Sequence, residues 1–345
     1  MFIPILMLVV GLAMLIKGGD WFVDGATGIA RRFRVPEIMI GATVVAIGTT
    51  LPEILVSSNA AMRGSGSIAY GNAIGSIICN TALIAAITIA IKPGPVMGKS
   101  MSLPVGFFFG SAVFYCIIAY FFGKFTIYSG IILLLIATAY IVSSVIHAKK
   151  AVDTISQVIG NEEPATEEEI ESISGEDHVV ESKKDKTQDS LLKDILLLVV
   201  GAVLIAFGAD FLVDNSIIIA REIGISEKVI GLTIIAFGTS LPEFVTAITS
   251  LIKGHGSLSL GNIIGANIFN LVLVSGVAIT INPFDVPQSA AIGGINSSLL
   301  IDIPVMFLVS VILTIPTLMH QKLSRWQGIS LLCIYVAFCA VQFIV

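Results

Sequence analysis

Residues 11–96 of this 345-residue chain repeat at 201–286, in register, without a gap, at a fixed offset of 190. Gly48-Thr49-Thr50-Leu51-Pro52-Glu53 returns as Gly238-Thr239-Ser240-Leu241-Pro242-Glu243. Gly71-Asn72-Ala73-Ile74-Gly75-Ser76 returns as Gly261-Asn262-Ile263-Ile264-Gly265-Ala266. A repeat this long limits the fold to two copies of one unit. Each copy sets a single glutamate inside a long apolar stretch. That arrangement implies a transporter assembled from two halves around one site.

Composition supports a membrane protein. Hydrophobic residues make up 55% of the chain and charged residues 12%, which no ordinary soluble domain matches. Cys79, Cys116, Cys333 and Cys339 all lie in apolar segments without paired spacing. They therefore indicate neither a disulfide framework nor a metal knuckle. The N-terminus has no basic n-region, so residues 3–16 read as a first membrane helix rather than a signal peptide.

A helix needs about 20 apolar residues to cross the hydrocarbon. On that measure ten spans are expected, near 2–18, 37–61, 68–91, 103–122, 126–147, 191–208, 227–251, 258–281, 298–318 and 326–345. Five belong to each half, 1–147 and 191–345. An odd number per repeat inserts the second copy upside down, giving an all-α polytopic fold of two inverted-topology repeats with broken helices at the site. With the N-terminus outside, twelve Lys and Arg residues fall in the cytoplasmic loops near the spans and four in the outer loops. Both termini are therefore expected outside the cell membrane. Residues 148–190 hold twelve acidic and five basic side chains and no aromatic one. This segment is expected to be a disordered cytoplasmic loop.

Glu53 and Glu243 are the centre of the expected site. A charge at mid-membrane costs about 2.5–3.5 kcal/mol on insertion scales, and neither half offers a lysine or arginine at similar depth. Two such acids brought together by symmetry need a cation or protons between them. Oxygen-rich surroundings suit hard cations such as Ca²⁺ and Na⁺. Pro52 and Pro242 lack the N–H that would bond the carbonyls of Gly48 and Gly238, so backbone oxygens are freed beside the acids. Thr49 and Thr239 lie four residues before their glutamates and share a helix face with them, and Thr50 and Ser240 add a second hydroxyl each. The next span supplies another wall. Ser76 and Asn80 face one way with Asn72, and Asn270 takes that place in the second half with Asn262 and Ala266. Asn267 falls off this face and reads as structural. Gly71, Gly75, Gly261 and Gly265 permit close helix packing.

Other polar residues read more simply. Asp20, Asp24, Asp210 and Asp214 follow the first span of each half and are expected to cap helices or pair with arginines. Asp302, before Pro304, is expected to be an interfacial cap. His147, His178, His255 and His320 fall in or beside loops and show no metal spacing.

The doubled Gly-Thr-Thr/Ser-Leu-Pro-Glu motif, with Gly-Ser-Ile-Ile-Cys-Asn and Gly-Ala-Asn-Ile-Phe-Asn, resembles the paired alpha-repeats of the sodium/calcium exchanger family, a branch of the calcium/cation antiporters. The resemblance implies that Glu53 and Glu243 are Ca²⁺ carboxylates shared with Na⁺. It further implies oxygens from Thr49, Thr50, Thr239, Ser240, Ser76 and Asn80, and from the backbone of Ala46 and Ala236. Asn270 is the corresponding residue of the second half. The implied mechanism is alternating access, with the first and sixth helices sliding across a fixed core. Two positions depart from the better-known pattern: Ala266 stands where a serine ligand is common, and Asn270 where many members have aspartate. The second departure argues against K⁺ coupling. The expected activity is Ca²⁺/Na⁺ antiport by a prokaryotic chain, with the ions and the lipid bilayer as partners. No cofactor, enzyme chemistry or nucleic-acid partner is implied, and one chain suffices as the transport unit. The rival is an H⁺/Ca²⁺ antiporter in which the same glutamates carry protons. A cation channel and an intramembrane enzyme are weaker readings: the site forms within one chain, and no His-Glu-x-x-His or Gly-x-Gly-Asp occurs.

Overall fold

The structure, a computed structural model, describes residues 2–96, 98–160, 191–223, 236–287, 291–292 and 295–344. Its long elements are helices. In the first half these are α1 (Phe2–Phe33), α2 (Glu37–Met62), α3 (Gly66–Ile91), α4 (Ser100–Phe122) and α5 (Ile127–Gly160). The second half holds α6 (Leu191–Glu222), α7 (a single turn Ala236–Gly238, then Leu241–Ile252), α8 (Gly256–Ile281), α9 (Ser298–His320) and α10 (Arg325–Ile344). Among the described residues, α1–α6, α8 and α9 are long and apolar enough to cross a membrane. Of the span expected at 227–251, only the part from 236 is described.

The helices follow the repeat. Reciprocal contacts between α1 and α6 define how the halves are related. A Cβ built on Gly11 would lie 2.9 Å from the carbonyl oxygen of Gly208, and one on Gly208 would lie 2.9 Å from that of Gly11. Gly18 and Gly201 meet in the same way, at 3.0 and 2.8 Å. Gly201 and Gly208 are the repeat partners of Gly11 and Gly18. Each residue thus touches the partner of the residue that touches its own partner, which is the signature of a two-fold axis. The pair runs antiparallel, so the axis is perpendicular to helices that cross the membrane. It therefore lies in the membrane plane, and the repeats are inverted.

Packing divides into two bodies. Among the described membrane-crossing helices α3 and α8 are the most enclosed, with 72% and 83% of their most apolar stretch buried, against 22% for α1 and α6. Around them Ile74, Ile77, Tyr115, Tyr140, Phe269 and Met306 belong to the main core. Leu15, Phe22, Val23 and Ile205 form a separate cluster that joins α1 and α6 to Leu241 and Leu258. Short pairings tie the loops at each end. Lys124–Phe125 pairs with Phe284–Asp285, and Pro95 bridges Lys322.

Three expectations change. α1 and α6 each run 32 residues, about 48 Å at 1.5 Å per residue, well past the expected ends at 18 and 208. Hydropathy falls at Lys17 and Ala209-Asp210, but no proline stands there: after Pro4 in the first turn of α1, where a missing N–H is tolerated, the next comes only at Pro36. Asp20 and Asp24 therefore sit inside α1. They bind a lysine rather than an arginine or a helix end: Lys253 Nζ is 2.8 Å from Asp24 Oδ1 and 3.4 Å from Asp20 Oδ1. Asp210 and Asp214 likewise lie within α6. α5 continues to Gly160, past the expected boundary at 147, while residues 161–190 lie outside the described residues.

Candidate functional site

The centre of the molecule holds both glutamates. Glu53 and Glu243 are each 0% exposed, and their charges lie within reach of each other. None of the four carboxylate oxygens has a hydrogen-bond partner among the described residues. The same holds for both side-chain polar atoms of Asn80 and of Asn270 and for the Ser240 hydroxyl, all 0% exposed. Native interiors pair nearly all such atoms. Carboxylates and amide and hydroxyl oxygens gathered here without a well-formed protein hydrogen bond make a donor set for a hard cation.

Local sequence explains how the acids are held. In α2 the chain first widens into a π turn at Gly41–Val45. The Tyr140 hydroxyl of α5 donates to the Ala42 carbonyl there, at 2.7 Å. The helix resumes at Ala46 and carries Pro52 inside it. The Ala46 carbonyl accepts from the hydroxyls of Thr50 at 2.7 Å and Thr49 at 3.3 Å. Thr49 also donates to Asn262 Oδ1 of α8 at 3.2 Å and stands beside Glu243. One hydroxyl therefore joins three parts of the site. In α7 the chain breaks at Thr239 and Ser240, and a new helix starts at Leu241. Pro242 then occupies a first-turn position, where a missing N–H costs nothing. Glu243 lies in that first turn, where the positive end of the helix dipole favours its charge. The two prolines thus solve one problem in two ways, although their motifs are nearly identical.

The second wall shows a feature that hydropathy does not carry. α3 turns from α to π geometry at Asn80 and keeps it to Ala85. α8 does the same from Asn270 to Val274. The two asparagines are repeat partners, and π turns concentrate at functional sites because they re-aim side chains and carbonyls.

Ser76 is buried beside Asn72 along a cavity of about 350 Å³ that also reaches Thr239. Ala236 lies in the single turn before the break. Asn72 donates to the Glu53 backbone carbonyl at 3.1 Å and to Ser57 Oγ at 2.8 Å, so it braces the helix carrying the acid. Asn267 donates to Thr81 at 2.7 Å and links α8 to α3. Two neighbours were not expected. Ser57 is 0% exposed, and the spacing Thr49, Glu53, Ser57 on one helix face is a signal that could have found it. The thiol of Cys79 stands near Ser240 and Glu243; the sequence gives no sign of this beyond its place next to Asn80.

The four glycines behave unequally. Cβ atoms on Gly261 and Gly265 would run into the backbone of Ile38 and Ala42, so α8 closes tightly on the π turn of α2. Gly71 and Gly75 meet nothing within 4 Å among the described residues and line the cavity instead. The close packing expected of all four is found for two. On the opposite side, Phe22 of α1 and Ala206 of α6 lie across Gly48, Pro52 and Pro242.

The family model described as sodium/calcium exchanger protein matches residues 3–146 and 193–344. The chain is 31% identical to the sodium/calcium exchanger MaX1 of Methanosarcina acetivorans, over 98% of each protein. It is 32% identical to the putative antiporter CaxA of Alkalimonas amylolytica, over 100% of this chain and 99% of that one. Among solved structures, the sodium-calcium exchanger NCX_Mj superposes with a TM-score of 0.76 at 30% identity, over 99% of both chains. The repeat, the inverted pair and the matched residues place both halves in one group: the chain belongs to the sodium/calcium exchanger family.

Proposed function

We propose that this protein is a secondary antiporter that exchanges Ca²⁺ for Na⁺ across the cell membrane. One observation carries the reading. Two fully buried carboxylates, one from each inverted half, lie within reach of each other, with no protein hydrogen bond on any of their oxygens among the described residues. A divalent cation neutralises the pair, and so do two monovalent ones, which makes the two loads alternatives at one place. Glu53 and Glu243 are assigned the charge. Thr49, Thr50, Thr239, Ser240, Ser76, Asn80 and Asn270, with the carbonyls of Ala46 and Ala236, are assigned the neutral oxygens.

Alternating access follows from the two bodies of packing. The α1–α6 pair packs on α2, α7 and α8 through an apolar cluster separate from the main core and crosses the proline segments of both halves, so it slides along that seam while the main core stays packed. Loading neutralises the buried acids and permits the crossing. The Lys and Arg distribution supports both termini outside and 148–190 in the cytoplasm.

Ca²⁺ uptake into proteoliposomes with Na⁺, K⁺ or H⁺ gradients imposed one at a time tests the reading. Flux that follows the Na⁺ gradient is expected. Flux that follows pH alone transfers the assignment to H⁺/Ca²⁺ exchange. That second reading is favoured by Ala266, which gives the wall no side-chain oxygen where the family often has a serine.

A further inference from the structure

The cavity that reaches Thr239 and Ser76 has a second polar end. There Asp302, Ser298 and Gln342 of α9 and α10 face Tyr70 of α3. Asp302 was expected to cap a helix, but as the residue preceding Ile303 it makes no side-chain capping hydrogen bond. One of its carboxylate oxygens accepts from Gln342 Nε2 at 2.7 Å. Ser298 is 1% and Tyr70 4% exposed, and neither hydroxyl has a hydrogen-bond partner among the described residues. Both hydroxyls stand close to each other and to Asp302. No lysine or arginine lines the cavity among the described residues. Ser67 and Gly71, also in its wall, are exposed. The cavity therefore connects the surface to the wall of the central site.

A single carboxylate with two buried hydroxyls gathered beside it, and no lysine or arginine to neutralise it, is a place for a hard cation. Its position makes it a stop on the way in. We propose that Asp302, with Ser298 and Tyr70, forms a vestibule site that gathers Ca²⁺, and more weakly Na⁺, from the side on which the cavity opens, before the ion passes to Glu53 and Glu243. This rests on the antiport reading above. One negative charge in a cleft concentrates a divalent cation about five- to tenfold at low salt. A monovalent ion feels half the energy, so its enrichment is the square root of that, about two- to threefold. The gain fades once the Debye length falls to a few ångströms.

The test is Asp302→Asn, which keeps an acceptor for Gln342 Nε2 and removes the charge. Half-saturating Ca²⁺ is measured from each face, in membrane vesicles of both orientations, at low and at high choline chloride. From the cavity side at low salt it is expected to rise about five- to tenfold, half-saturating Na⁺ about two- to threefold, and both shifts to shrink in high salt. Asp302→Glu should restore the parent values, and Tyr70→Phe should give a smaller shift in the same direction with the fold undisturbed. Unchanged half-saturation, an equal shift from both faces, equal shifts for Ca²⁺ and Na⁺, or no recovery with Asp302→Glu would each overturn the proposal. Glu53→Gln run alongside separates the levels. If it abolishes exchange while Asp302→Asn shifts nothing, only the vestibule site falls. If Glu53→Gln exchanges normally, the central reading falls.

Discussion

Replacing Glu53 by Gln should move two measurements in opposite directions. The side chain is 0% exposed and its oxygens have no protein partner. Without a cation, its charge carries an uncompensated desolvation cost and repels Glu243. The neutral, nearly isosteric amide relieves both, so thermal stability in Ca²⁺-free detergent should hold or rise. With Ca²⁺ present the sign reverses. Removing one partner of a buried ion pair costs about 3–5 kcal/mol, which weakens binding by roughly two to nearly four decades. A ligand at 100 times its dissociation constant stabilises the parent by about 2.7 kcal/mol. At that same Ca²⁺ concentration a hundredfold weaker mutant gains only about 0.4 kcal/mol. The assay is a thermal melt of both proteins with chelator and with Ca²⁺, beside Ca²⁺ flux in proteoliposomes. The Ca²⁺-dependent shift should largely vanish, together with flux, while the Ca²⁺-free melting temperature does not fall. A retained Ca²⁺ shift with retained exchange refutes the shared site; a sharp loss of Ca²⁺-free stability refutes the claim that the carboxylate lacks compensation.

Ala266→Ser restores a hydroxyl to the second wall and should lower the Na⁺ concentration needed for half-maximal exchange, with a smaller change for Ca²⁺; an unaltered Na⁺ profile counts against a Na⁺ position there. Gly201→Ala puts a methyl 2.5 Å from Phe22 N and 2.8 Å from the Gly18 carbonyl. Overpacking costs about 1–3 kcal/mol and exceeds the gain of about 1 kcal/mol in helix propensity, so the melting temperature should drop, and a rise would contradict the close seam. Replacing residues 161–188 by a Gly/Ser linker should preserve transport, and a protease should cut the native segment only from the cytoplasmic face; cleavage from outside intact cells would reverse the assigned topology.

The parts legible in the sequence were those in which two chemistries collide. A glutamate after a proline in an apolar run cannot pass as core, and its recurrence 190 residues on marks the two halves. The helix lengths were hidden because Lys17, Asp20 and Asp24 end a hydropathy window without ending a helix. The π turns at Asn80 and Asn270 leave no composition signature, since Asn-Thr-Ala-Leu-Ile-Ala reads equally well as an ordinary turn of helix. Nor could the sequence separate Gly71 and Gly75 from Gly261 and Gly265. The motifs match, and which pair lies packed and which lies open is a property of the conformation. Asp302 looked like a cap because it precedes Pro304; only its neighbours across α3 and α10 give it another setting.

The crossed glycines of α1 and α6 also speak to descent. A surface on which Gly11 meets the counterpart of Gly18, and Gly18 the counterpart of Gly11, is self-complementary. It is the seam that two separate copies of one five-helix ancestor would share if they entered the bilayer in opposite directions. In such a dimer a substitution alters both sides of the seam at once. In the single chain each glycine can vary alone, yet each faces the rotated counterpart of its partner with no room for a methyl group. That leaves little room for drift, and it lets this pair of helices keep the imprint of a homodimer.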